Sequence, residues 1–304
     1  MKLKYIVGLL FFISHADRVV GAVITYQLNG GRFGDNIRSF TQAYWLSYKY
    51  QLPLFFVPFP GSELLMAHTL FGHWKPAIEQ QFDYIKIFDS SDEVVINRNN
   101  NTLFVTTYYC LVDIDWQDQA FLAAVREVLR PCVKITLPSD IYDSVVMHVR
   151  RGGEFNADSN KVKRRRPLHF PNLEYYAQAL HILLEYVQGQ HTVYLLTDDE
   201  APQVLAADIK KLLSPDDSAR IQLVWREKNN HHNAHVLEDF LCMQLGRYLI
   251  RPQSNFSLYA QRLGTHHIVI RPKRGKSGNP WGIVTNGQLD IRTQNGVQSR
   301  EFLF

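Results

Sequence analysis

Apolar residues along this chain fall into short runs parted by turn formers, and the runs alternate between strand-like and helix-like spacing. Residues 23–28 read as a buried strand, 29–35 as a glycine-rich turn and 36–50 as an amphipathic helix. A second strand is predicted at 54–57, where Pro58, Pro60 and Gly61 break the chain. Short helical pieces follow, with strands at 84–88 and 93–97. The pattern then gives a strand at 103–108 and a helix at 118–129, closed by Arg130-Pro131.

From residue 145 the units alternate more cleanly. Strands are predicted at 145–149, 192–196, 222–225, 248–250 and 267–270, with helices at 172–186, 201–213, 234–246 and 256–263 between them. Strands parted by helices of this length argue an α/β protein with a parallel, doubly wound sheet and right-handed crossovers. No internal repeat stands out. Residues 138–143 read as a junction, which divides the chain into 1–22, 23–140, 141–272 and a tail, 273–304. The tail, with Gly275, Gly278, Pro280 and Gly282, reads as irregular and partly mobile.

At 304 residues, 46% hydrophobic and 20% charged, the chain has the composition of a globular protein with two domains. A net charge of +4 suits a polyanionic ligand but is too mild to argue for nucleic acid. Cys110, Cys132 and Cys242 fit no CxxC pattern, so a disulfide framework is not expected. At the amino terminus, Lys2 and Lys4 precede an apolar run, 5–13, and Val20-Gly21-Ala22 has the small-residue form of a cleavage site. This segment reads as a signal or anchor, which suggests a secretory or membrane-associated protein. The alternative is a misassigned start or an extra strand on a cytoplasmic protein.

The stretch VVMHVRRGGEF, 145–155, carries the strongest chemistry. A buried-strand pattern runs into Arg150 and Arg151 and then into Gly152 and Gly153, which permit the close backbone approach of an anion-binding loop. Thr197-Asp198-Asp199 ends the next strand. Those carboxylates could hold a metal or a nucleotide, with Asp199 the better candidate for a helix cap. Ser254-Asn255-Phe256-Ser257 opens a helix whose N-terminus attracts phosphate.

Other motifs exclude functions. Gly30-Gly31-Arg32-Phe33-Gly34-Asp35-Asn36 is not GxGxxG, and Lys276-Ser277 lacks the first glycine of a Walker A loop. His231-His232-Asn233-Ala234-His235 lacks the partners of a metal site, and KVKRRR, 161–166, reads by default as a solvated loop.

In order and spacing, three motifs and the opening turn resemble the fucosyltransferase superfamily of α1,2-, α1,6- and protein O-fucosyltransferases. The chain is most similar to glycosyltransferase family 11 over about residues 24–272. GGRFGDNIRSFTQAYWLSYKY resembles the family's opening turn, HVRRG its first motif, LEYYAQAL with VYLLTDD its second, and EDFLCMQLGRYLIRPQSNFSLYAQRLG its third. The resemblance implies a GT-B architecture, two Rossmann-like domains facing across a cleft. It further implies inverting transfer of fucose from GDP-fucose to a glycan, with no cofactor and no essential metal.

Carried onto this chain, Arg150 would bind the diphosphate, and His148 and Asp239 would approach guanine. Asp198 would lie near the nucleotide, and Ser254, Asn255 and Phe256 would form the phosphate-side loop. Gly31, Arg32, Phe33, Gly34, Asp35 and Asn36 would face fucose and acceptor. The chain departs from the family where Gly153 replaces an aspartate and where Leu258-Tyr259 replaces an aromatic pair. An inverting displacement wants a carboxylate to take the acceptor's proton. Glu154 ranks first, ahead of Asp158 and Asp35. A transferase of another nucleotide sugar and a non-catalytic binding relative are the alternatives. Asn100-Asn101-Thr102 and Asn255-Phe256-Ser257 are formal glycosylation sequons, and a glycan on Asn255 would block the phosphate-side loop.

Overall fold

The computed structural model describes residues 21–90, 101–151, 166–231, 234–273, 286–293 and 296–303. The chain forms two compact units, Met1–Ile135 and Thr136–Phe304. The predicted strand at 93–97 and the amino-terminal apolar run lie outside the described residues. Among the described residues no helix is long and apolar enough to cross a membrane.

In the first unit, β1 (Val23–Tyr26) is buried along its whole length. β2 (Phe55–Phe56), β3 (Gly72–His73), β4 (Tyr84–Ser90) and β5 (Thr102–Leu111) complete the strands. β5 lies between β1 and β4, and all three run parallel. On the other side of β1, Ile24 N–H donates to Pro53 O at 2.9 Å and Thr25 Oγ1 to Phe55 O at 3.0 Å, which brings up the parallel pair β2–β3.

α1 (Phe33–Tyr50) covers this sheet with buried Ile37, Phe40 and Tyr44, and the Phe40 ring meets Tyr26 and Phe56 edge-on. It starts at Phe33 rather than at the predicted 36, because the turn closes early: the Arg32 carbonyl accepts from both Asp35 and Asn36. The shorter α2 (Met66–Leu70) and α3 (Pro76–Glu79) connect the strands. α4 (Gln119–Val128) is capped by Asp118, which accepts from Phe121 N–H at 2.9 Å.

The second unit holds a larger sheet. Its strands are β6 (Val145–Val149), β7 (His191–Thr197), β8 (Ile221–Trp225), β9 (Tyr248–Ile250), β10 (Ile268–Lys273), β11 (Asn286–Thr293) and β12 (Gly296–Leu303), in spatial order β12-β11-β10-β9-β6-β7-β8. From β10 to β8 the sheet is parallel. Helices fill the crossovers: α5 (Leu173–Tyr186), α6 (Pro202–Lys211), α7 (Pro215–Ala219), α8 (Val236–Leu245) and α9 (Asn255–Leu263). Val145, Met147, Val193, Leu195 and Ile250 on the strands, with Tyr176, Leu180 and Leu183 of α5, form the core between the layers. Both units are therefore α/β with parallel sheets.

Three expectations are corrected. The tail is not irregular throughout, because β11 and β12 form an antiparallel hairpin that extends the sheet beyond β10. The helix expected at 201–213 ends at Lys211 as α6, and a further helix that was not expected follows it: Ser214 starts α7 by accepting from Asp217 N–H at 3.1 Å while its hydroxyl donates to Asp217 Oδ2. Asp199 does not occupy the N-cap of α6. Ala201 does, with Asp199 Oδ1 accepting the Ala201 N–H at 2.9 Å from outside the helix.

Candidate functional site

Strand order in the second unit reverses between β6 and β9. Their carboxyl ends flank the point where open α/β sheets bind ligands, since the connections there leave in opposite directions. The residues that follow the two strands are Arg150-Arg151 and Arg251-Pro252-Gln253-Ser254.

Arg150 is half-buried, with its guanidinium over the Phe170 ring at 5.0 Å. Arg151 is held by the carboxylates that follow β7. Its N–H donates to Asp198 Oδ1 at 2.5 Å and its Nε to Asp199 Oδ2 at 3.3 Å, while Asp199 N–H donates to Thr197 Oγ1. The two aspartates thus fix the loop that carries the arginine pair. Among the described residues no group of three ligating side chains could hold a metal ion.

His148 sits on β6, buried, with its ring edge-on to Phe256 at 5.8 Å. Burial pushes its pKa down to about 4; Arg150 and Arg251 act in the same direction and Asp198 opposes them. The imidazole is neutral at physiological pH, and its Nδ1 is buried with no hydrogen-bond partner among the described residues. Phe256 also packs on Phe240, so the first turn of α9 rests on α8.

Arg251 is a site residue that the sequence pattern does not single out. It is 2% exposed, its Nε donates to Gln261 Oε1 at 2.5 Å, and its Nη1 donates to Pro252 O at 3.0 Å. Tyr175 Oη donates to the Arg251 carbonyl at 2.8 Å, and Gln253 N–H to Leu168 O at 2.7 Å. These bonds fix the segment leading into α9. Ser254 occupies the N-cap of that helix in extended conformation, buried, and its side chain makes no capping bond; Asn255 and Phe256 follow half-buried. Backbone N–H groups at such a helix start, with the half-buried Arg150 on the adjoining strand end, make this face suited to a phosphate.

Asp239, in the first turn of α8, has a side chain 15% exposed, and its Oδ1 accepts from Arg226 Nη2 at 2.8 Å. Burial raises its pKa, against the pull of Arg226. Arg226 also reaches Glu238 at 3.2 Å, and His235 Nδ1 lies 2.9 Å from the same carboxylate. A carboxylate so held can accept N–H donors from a planar base.

The glycine-rich turn belongs to the first unit. Gly30 has φ +73°, a conformation that favours glycine. Gly31 N–H donates to Asn29 Oδ1 at 2.8 Å. Gly31, Arg32 and Asp35 are half-buried, while Phe33, Gly34 and Asn36 are buried. Asp35 Oδ1 accepts from Tyr108 Oη at 3.2 Å, and the Arg38 guanidinium lies 4.5 Å from the centre of the same ring. Glu154 and Asp158, two of the three candidate bases, lie outside the described residues, as does Gly153.

No protein-family model matches this chain, and no curated protein does either. Among solved structures it is similar to the fucosyltransferase NodZ from Bradyrhizobium, at 17% identity and a TM-score of 0.49 over 86% of this chain and 97% of that one. It is similar also to a mutant of Arabidopsis thaliana FUT1 in complex with GDP, at 12% identity and a TM-score of 0.48 over 91% of this chain and 76% of that one. The likeness to NodZ α-1,6-fucosyltransferase soaked with GDP-fucose is 16% in identity, with a TM-score of 0.43, over 90% of this chain and 99% of that one.

Proposed function

We propose that this chain is an inverting, metal-independent fucosyltransferase of the GT-B class that moves fucose from GDP-fucose to a hydroxyl of a glycan or glycosylated acceptor. The observation that carries this reading is the placement of Arg150 and the α9 N-terminus at the reversal of strand order between β6 and β9. A diphosphate bound without a metal needs cations and N–H donors aimed at the same oxygens. The order of the family-like motifs narrows the donor to GDP-fucose.

In the reaction the acceptor oxygen forms a bond to the anomeric carbon of fucose as the bond from that carbon to the β-phosphate oxygen breaks. The electron pair leaves with GDP, and the acceptor's proton passes to a carboxylate, with Glu154 ranked first and Asp35 and Asp158 behind it. Arg150 stabilises the charge developing on GDP. The neutral His148 and the carboxylate of Asp239 read the guanine, the latter through the base's N–H donors. Loss of one oriented donor to a developing charge typically costs about a hundredfold to a thousandfold in rate. Arg150→Ala should therefore lower turnover by about that factor, and Lys163→Ala should not.

Calorimetric titration of the full chain with GDP, GMP, UDP and ADP tests the donor. Tight GDP binding, weak for the others and lost in Arg150→Ala, supports the reading. No preference for GDP removes it. The substitution of Gly153 for the family's aspartate favours a second reading, a relative that binds nucleotide without turnover. Release of free fucose from GDP-fucose without acceptor would exclude it.

A further inference from the structure

The loop between β8 and α8 brings a cation, Arg226, to the first turn of α8. Arg226 follows the last residue of β8, and its backbone is tied into the loop by the buried Asn230, whose Nδ2 donates to the Arg226 carbonyl at 2.6 Å. From there the guanidinium reaches across: Nη2 lies 2.8 Å from Asp239 Oδ1 and 3.2 Å from Glu238 Oε2. Phe240, the residue after Asp239, packs on Phe256, and Phe256 meets His148, so this turn stands beside the candidate donor site.

An ionised carboxylate has lone pairs for about four hydrogen bonds. Arg226 takes one of them, on Oδ1 of Asp239, and Oδ2 has no hydrogen-bond partner among the described residues. Guanine offers N–H donors at N1 and at its 2-amino group on one edge, whereas adenine puts an acceptor at N1. A carboxylate accepts from both guanine donors, and a neutral acid does not. For Asp239 the balance is contested: burial favours the neutral acid and Glu238 acts the same way, while Arg226 and His235 favour the charge. Cys242, three residues on, stays a neutral thiol because burial pushes it up to about 12.

We propose that Arg226 is the positioning residue that sets the selectivity of the donor site for guanine: it holds Asp239 in place and keeps it an acceptor, with Glu238 as the rival for the same guanidinium nitrogen. This rests on the reading of guanine by Asp239 given above.

The test titrates the full chain with GDP and ADP at pH 8, 5.5 and 4.5 and reads the ratio of the two affinities. The phosphates of the two ligands titrate alike, so the ratio reports the base. Arg226→Gln should lower the preference for GDP tenfold or more at pH 5.5 and by less at pH 8, because the carboxyl without its cation takes up a proton as pH falls. Arg226→Lys should keep the preference within threefold. Glu238→Gln removes the like charge, so its preference at pH 4.5 should exceed that of the wild type by threefold or more, a gain that loss of structure cannot give. An unchanged preference in Arg226→Gln overturns the proposal, as does a loss equal at pH 8 and 5.5, a loss that Arg226→Lys shares, or no gain in Glu238→Gln. A wild type without preference for GDP, or a preference that survives in Asp239→Asn, sinks the guanine reading itself. Where the wild type prefers GDP and Asp239→Asn does not, the other failures sink the role of Arg226 alone.

Discussion

His148 is buried at the candidate donor site, and its protonation is tied to the fold. In the unfolded chain it titrates near 6.5, and burial in the fold lowers that to about 4. Between those values the unfolded state binds the extra proton. Its stabilising contribution is therefore whole above pH 6.5 and is lost as pH falls toward 4. The amount at stake is on the order of 3 kcal/mol. The urea midpoint of the wild type should fall between pH 7 and pH 5 more steeply than that of His148→Gln; equal slopes would mean that water reaches the imidazole. Gly31 gives a second residue-level prediction. A Cβ there would stand 2.5 Å from Asp35 Oδ2 and 2.7 Å from Asn29 Oδ1. Gly31→Ala should cost about 1–3 kcal/mol, read as a lowered Tm, because the added carbon must displace both side chains.

Among the elements, the strands of the second unit were the most legible in the sequence. The bounds of β6 and β9 coincide with the apolar runs 145–149 and 248–250, since both lie in the middle of the sheet and are buried on both faces. The hairpin of β11 and β12 was not legible, because glycine and proline upstream of it suggest a tail, and pairing with β10 is a long-range event that local pattern does not encode. Arg251 escaped notice for a like reason. An Arg-Pro step after a three-residue strand looks like an ordinary loop, and the burial comes from Gln261 and Tyr175, residues on two different helices. At the candidate donor site the sequence singled out Arg150, Ser254 and His148, whereas Arg226, which holds Asp239, became visible only in the fold. Close packing of helix on sheet is tested at Gly246, where a Cβ would meet Val146 Cγ2 of β6 at 2.5 Å. Gly246→Ala should cost about 1–3 kcal/mol, and much of that loss should return when Val146→Ala is added. Additive losses would show that the strain lies in the α8 terminus instead of the contact with β6.

For the whole molecule, the two units present different chemistry at the carboxyl ends of their strands. The second presents Arg150, a neutral imidazole and a helix N-terminus, while the first offers a glycine-rich turn whose Asp35 accepts from Tyr108. Ligands that bind only the folded state stabilise what they touch by mass action, about 2.7 kcal/mol at a hundredfold excess over Kd. Hydrogen exchange on the intact chain should then divide by unit. GDP should slow exchange in residues 145–151 and 250–258 and leave 27–40 unchanged, because Arg150 and the α9 amides lie in the former. A bound acceptor glycan should slow exchange in 27–40, where the glycine-rich turn expected to face fucose and acceptor lies. Protection of 27–40 by GDP alone would move the nucleotide to the glycine-rich turn and overturn the division of labour. Protection of both regions only when both ligands are present would instead show that the two binding events are coupled.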